Sequence, residues 1–335
     1  MKHKLNMIIF GLALVSAISS FTWAKERQKL AQTGFQFLSV MSDARAAGMG
    51  GAVNSVEMGS SSLFSNPACM ATMPNRIDIT FSQNQWIADI NHTMASVAIN
   101  PSPKSPQYGV IGFSFQSVDY GNFVGTIVAP GTEKGFELTD IFSPTAFAAG
   151  VGYAKSLSDR FSVGGQIRWV YQNLRESRVI LRGDTVKVKN EMQPFSFDFG
   201  TLFKTGIKSL QFGMSIRHFS KELKYAYEGF QLPLLFTMGV SMNVMDLLPE
   251  FSSNHRLIVS IDATHDRSYP EQLLIGLDYT FMRLLSLRAG YITNDDEEGL
   301  SFGLGISTLG LQLDYAYTPY GVFDKVQRMT ARFSF

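Results

Sequence analysis

Gln327-Arg328-Met329-Thr330-Ala331-Arg332-Phe333-Ser334-Phe335 alternates without a break. In an extended chain, successive side chains point to opposite faces. Met329, Ala331, Phe333 and Phe335 therefore share an apolar face, and Arg328, Thr330, Arg332 and Ser334 share a polar one. A half-buried soluble strand shows the same alternation, so this stretch decides the fold only together with what precedes it. A transmembrane β-barrel needs such a strand, apolar toward lipid, to close against its first strand and leave no open edge.

The same two-faced design recurs upstream. Alternating segments bounded by turn residues fall near 75–82, 92–100, 107–117, 145–156, 160–173, 192–204 and 208–219. Others fall near 232–244, 255–264, 270–282, 284–293, 299–307 and 309–318, with 327–335 last. Fourteen is an even number, as antiparallel closure of a single-chain barrel requires. In 160–173, Phe161, Val163, Ile167, Trp169 and Tyr171 oppose Ser162, Gly164, Gln166, Arg168 and Gln172. The polar faces carry isolated mid-strand charges: Asp78, Arg168, Asp198, Arg217, Asp262, Asp278, Arg288, Asp314 and Arg332. Each would be costly against lipid, so they are expected to face the lumen. The competing architecture, a large soluble β-sandwich with one wet face, fits the strand count, the terminal Phe335 and the export signal at the start of the chain less well than a barrel does.

The beginning of the chain reads as an export signal. Lys2 and Lys4 precede an apolar stretch over 8–18, and small or polar residues follow up to Ala24. The apolar run is too short for a helical span of about 20 residues. A secretory leader is expected over 1–24, with an outer membrane of the Gram-negative type as destination. Its removal takes two lysines and leaves the chain near −1, which argues against nucleic acid as a partner. Cys69 is the only cysteine, so no internal disulfide forms.

Residues 25–74 break the strand pattern and are expected to form a compact hatch of short helices and turns inside a barrel over 75–335. Ala44–Ala47 favours helix, and Gly48, Gly50 and Gly51 end it or permit close backbone approach. Asn66 before Pro67 reads as an N-cap with proline at the first helical position. The glycine cluster matches neither phosphate-binding loop pattern. Arg45 beside Asp43 reads as a structural pair between hatch and wall. Trp86 is expected either as a headgroup anchor or as packing beneath the hatch. Serines 60–62 and the histidines sit in no nucleophile motif, and His265-Asp266 with Asp262 reads as a solvated turn, so neither an enzyme nor a metal or cofactor is expected. Long joins are expected over 119–144, 175–191, 219–231, 245–254 and 319–326. The first carries Phe123, Ile127, Phe136 and Phe142, a candidate surface for docking a partner.

These residues resemble a known family. Phe37-Leu38, the run from Ala44 through Gly48, Met49, Gly50 and Gly51 to Ala52, Asn66-Pro67-Ala68, and Trp86-Ile87-Ala88-Asp89-Ile90 are similar to the N-terminal signature of the PorV/PorQ outer-membrane proteins. The likeness continues through Tyr153–Gly165 and Asp198-Phe199-Gly200. The Asn-Pro-Ala element is shared with the wider FadL-like barrels. The resemblance implies a fourteen-stranded barrel with an N-terminal hatch. It also implies service in type IX protein secretion, with secretion-system proteins or cargo as partners. In the FadL branch it would instead imply passage of a hydrophobic small molecule between hatch and wall. It places Phe37, Leu38, Asp43, Arg45, Asn66, Pro67, Trp86 and Asp89 among the hatch and wall contacts. A terminal aromatic such as Phe335 resembles the signal read by the outer-membrane assembly machinery.

Overall fold

The computed structural model describes residues 33–103, 108–129, 131–181, 184–224, 229–248, 254–295, 297–323 and 325–335. The leader expected over 1–24, the first eight hatch residues and Pro130 lie outside these. Fourteen strands form the wall. They are β1 (Ile77–Gln85), β2 (Asn91–Ile99), β3 (Val110–Asp119), β4 (Thr145–Ser156), β5 (Phe161–Leu181), β6 (Phe195–Lys204) and β7 (Gln211–Phe219). The second half comprises β8 (Leu235–Asn243), β9 (His255–Asp266), β10 (Gln272–Phe281), β11 (Leu285–Ile292), β12 (Leu300–Thr308), β13 (Leu311–Pro319) and β14 (Lys325–Ser334). Each pairs antiparallel with its sequence neighbours, and β14 pairs back onto β1 from Gln85↔Gln327 to Asp78↔Ser334. The barrel is closed, which removes every edge. Among the described residues no helix is long and apolar enough to cross a membrane; the strands do so.

The alternation sets which face is which. Met329, Phe333 and Phe335 are exposed on the outside, while Arg328 and Thr330 are buried inside. The Phe335 backbone N–H donates to Ile77 O at 2.9 Å and its carbonyl accepts from Arg76 N at 2.6 Å, sealing the seam. The two ends of the barrel differ. The turn end has tight connections, such as Leu309-Gly310 between β12 and β13 and 282–284 between β10 and β11. The loop end carries the longer excursions.

Three connections differ from expectation. The 119–144 join contains a hairpin of its own, Phe123–Val128 with Phe136–Phe142. The 175–191 join is mostly strand: β5 runs 21 residues and pairs beyond the barrel with Asp184–Met192. Arg178-Val179-Ile180-Leu181 and Thr185-Val186-Lys187-Val188 are rich in β-branched residues, which favour strand over loop. At about 3.3 Å per residue, β5 reaches roughly 70 Å, well over twice a hydrocarbon core of about 30 Å. The 245–254 join belongs to the turn end and begins as a short 3₁₀ turn, Val244–Leu247, with the Asn243 side chain accepting from Met245 N.

Residues 33–74 pack inside the barrel. They comprise α1 (Ala44–Gly48) and three 3₁₀ turns, Gln36–Leu38, Gly59–Phe64 and Pro67–Thr72. Asn66 caps the last through Ala68 N, with Pro67 at the first position.

Candidate functional site between hatch and wall

The hatch is held to the wall by buried charges. Asp43 caps α1, accepting from Ala46 N at 2.9 Å, and its other oxygen accepts from Ser61 Oγ at 2.8 Å. Arg45 does not pair with Asp43. The cap uses the Asp43 oxygens, and helical geometry sends Arg45 across to the wall, where Nη2 lies 2.9 Å from Asp278 Oδ2 on β10. Arg288 on β11 reaches the other Asp278 oxygen at 3.1 Å and Asp314 on β13 at 2.7 Å. The result is a four-member chain from hatch to three strands, with each charge offset by a neighbour. Buried ions require this.

The other inward charges are also engaged. Arg168 pairs with Asp198 at 2.9 Å, and Asp198 accepts from His218 N at 2.7 Å. Arg217 donates to the Phe64 carbonyl. Arg332 pairs with Asp78 at 2.9 Å, and Asp78 also accepts from Ser60 N at 2.8 Å and Ser334 Oγ at 2.7 Å. Asp262 accepts from Asn54 N at 2.7 Å. Asn54 is a hub that the sequence reading missed. Its amide donates to Gly213 O and Thr237 O, and its carbonyl accepts from Asn66 Nδ2 at 2.8 Å. A lone asparagine carries no periodic signal, so nothing marked it.

Wall glycines let the hatch backbone come close. A Cβ on Gly290 would sit 2.0 Å from Gly50 N, and one on Gly200 would sit 1.9 Å from Asn66 Oδ1. Gly48 lies against Gly303 and Pro67 against Gly164, while Gly51 abuts Met41 and Leu274. Met49 is fully buried. Toward the loop end, Phe37 and Leu38 join Val118, Ala146, Ala148, Val170, Leu223 and Leu232 in an apolar cluster. Trp86 lies in a cluster at the loop end that reaches the hatch. It stands edge-on to Tyr320 at 4.9 Å with Arg328 at 5.6 Å over its ring, and Arg328 in turn donates to Met41 O at 2.8 Å. Asp89 is exposed in the β1–β2 connection, away from this cluster. The Phe123 and Phe142 rings meet at a tilt across their hairpin with centroids 5.9 Å apart, Phe136 and Ile127 lie further along it, and Arg175 on β5 reaches Asp140 of the hairpin at 3.5 Å.

Among the described residues, chambers lie on either side of α1. The loop-end chamber is about 560 Å³. Its lining mixes Val40, Met41, Leu235, Leu274 and Ile292 with Asp262, Asp266, Asp295, Glu297, Glu298, Arg217 and Arg328. Burial pushes the Glu298 carboxyl above its ordinary range, opposed by the Arg328 guanidinium 3.7 Å away. The turn-end chamber, about 380 Å³, lies between α1 and strands β8–β13.

No family model matches the chain, and no curated protein matches it. Solved structures do. The chain is similar to the CymD monoaromatic hydrocarbon channel, with TM-score 0.57 and 12% identity over 88% of this chain and 98% of that one. It is similar to the Ralstonia pickettii toluene transporter TbuX, with TM-score 0.55 and 11% identity over 91% and 99%. It is also similar to a Pseudomonas aeruginosa FadL homologue, with TM-score 0.51 and 13% identity over 88% and 98%. At such identities the likeness is one of fold. The protein has the fold of these outer-membrane channels, a closed fourteen-stranded barrel with a plug-like N-terminal segment in its lumen.

Proposed function

We propose that this barrel carries a hydrophobic small molecule across the outer membrane and catalyses no reaction. The loop-end chamber supports this most directly. It is of ligand size, and Val40, Met41, Leu235, Leu274 and Ile292 give it apolar surface among its charged groups. The shared fold with a monoaromatic hydrocarbon channel and a toluene transporter favours the same reading. In it, α1 and the Arg45–Asp278 contact form the floor that the molecule must pass. Cells with and without the protein are compared for initial uptake of a labelled monoaromatic hydrocarbon, with a labelled sugar as control. Hydrocarbon uptake should fall severalfold on loss of the protein while sugar uptake holds. Unchanged hydrocarbon uptake would overturn the proposal.

A second reading, a barrel that binds type IX secretion cargo, has one observation in its favour. The hairpin beyond the barrel exposes Phe123, Val124, Val128, Phe136, Leu138 and Ile141. Purification in mild detergent from the native membrane decides it. Co-purifying cargo or attachment proteins support secretion, and bound lipid-like molecules without protein support transport. In either reading the assembly machinery is the partner for the 327–335 strand.

A further inference from the structure

The turn-end chamber has the opposite character to the loop-end one. Four guanidinium groups, Arg45, Arg256, Arg283 and Arg288, line it. Asp278 and Asp314 are both occupied by Arg45 and Arg288. That leaves Arg256 and Arg283, which make no hydrogen bond or ion pair among the described residues. Among the described residues, Asp278, Glu57 and Asp246 attract Arg256 through space, but none forms an ion pair with either free guanidinium. Glu57 is ion-paired to Lys204 at 2.9 Å, and Asp246 accepts from Asn243 Nδ2 at 2.7 Å, with Lys208 adding a further positive charge alongside.

Both free arginines are placed deliberately by the backbone. Arg256 is on the inward register of β9, two residues before buried Ile258 and opposite Thr280. Arg283 sits in the β10–β11 turn with φ 56°, after Met282 at φ 51°. Left-handed backbone at two consecutive side-chain-bearing residues is uphill, and glycine or asparagine would relieve it. The turn accepts that strain and holds a guanidinium at the chamber mouth. Four guanidinium groups, two of them outside any ion pair among the described residues, focus positive potential in a recess walled by low-dielectric barrel. A guanidinium presents donors in a planar fork that matches carboxylate and phosphate oxygens. Asn243, Asn254, Ser286 and Ser307 supply further polar groups around the space.

We infer that the turn-end chamber is an anion site, recognising a single carboxylate or phosphate group through Arg256 and Arg283. The group could arrive from either side: as the head of an amphiphile passing through the barrel, its tail against adjoining Val56, Met242 and Ile258, or as a free anion. The inference stands apart from hydrocarbon uptake, since either can fail without the other.

Calorimetric titration of the full-length protein in a non-ionic detergent tests it, with inorganic phosphate, hexanoate and hexanol as probes. At least one anion should bind, and R256Q/R283Q should weaken it about tenfold or more, the loss of charge-assisted hydrogen bonds. Hexanol should be insensitive to the double variant. Tighter hexanoate than phosphate assigns the amphiphile head, and tighter phosphate assigns the free anion. Neither arginine is ion-paired, so folding is expected to survive and is checked by heat-modifiable gel migration. Should the double variant misfold, Arg283→Gln alone, in an exposed turn, carries the test with about threefold weakening. Failure of both anions to bind at millimolar concentrations, or binding indifferent to the arginines, overturns the inference.

Discussion

On β12 the outward residues Leu300, Phe302, Leu304 and Ile306 are exposed and face the membrane, while inward Gly303 and Gly305 are crowded. A Cβ on Gly303 would sit 3.2 Å from Gly48 Cα, and one on Gly305 would sit 2.4 Å from Asp314 Oδ1. One strand thus obeys two sets of requirements. The lipid side needs only apolar surface, which many residues supply. The lumen side needs particular atoms, because it must fit a hatch and balance charges in the same space.

The sharpest way to break this asymmetry is Asp278→Asn. It leaves Arg45 and Arg288 facing each other across a weakened acceptor, and stability should fall by about 3–5 kcal/mol, read as a lower denaturant midpoint in detergent. The same variant should raise single-channel conductance if α1 loosens. Gly290→Ala comes next. The nearest obstacles are backbone atoms of Met49 and Gly50, which cannot swing aside, so a loss of about 2 kcal/mol is expected, with faster proteolysis of the hatch. Asn66→Ala removes a cap and two donors, to Asn54 O and Thr201 O, and should cost about 1.5 kcal/mol by the same measurement. At the small end, Leu304→Ile on the lipid face should change stability by less than about 0.5 kcal/mol. A large effect there, or a small one at Asp278, would dissolve the contrast between the faces.

The same asymmetry explains what could be read from sequence. A period of two is visible in any strand, so the fourteen wall segments, their outward residues and the inward charges were legible. Partners of those charges were not. Arg45 lies 233 positions from Asp278, and adjacency in sequence pointed to Asp43 instead. Asn54 and the pairing of glycines such as Gly48 with Gly303 depend on three-dimensional register, which no local pattern encodes. The hairpin within 119–144 and the extension of β5 were hidden for another reason. Turn residues outside the membrane resemble loops, and the β-branched runs between them are short. Arg256 was obscured by its neighbours: one charge near a strand start looks like an ordinary solvated end.

The hatch also bears on how the molecule is made. Ala44 N donates to Thr330 Oγ1 on the last strand, and Asn54 binds Asp262 on β9, so the earliest residues of the fold wait for the latest. Neighbouring wall strands can pair as hairpins, but the hatch contacts and the β1–β14 seam span most of the chain, and closing such long loops slows folding. The wall is too tightly fitted around Gly50 and Asn66 for a folded hatch to slide in afterwards. On that fit the N-terminal segment is expected to act as a former around which the sheet curls, with the bond from Arg76 N to Phe335 O among the last to form. An internal template of this sort lets the order of assembly be tested directly: supplying residues 25–74 as a separate peptide should rescue a hatchless barrel only when added before the sheet has closed.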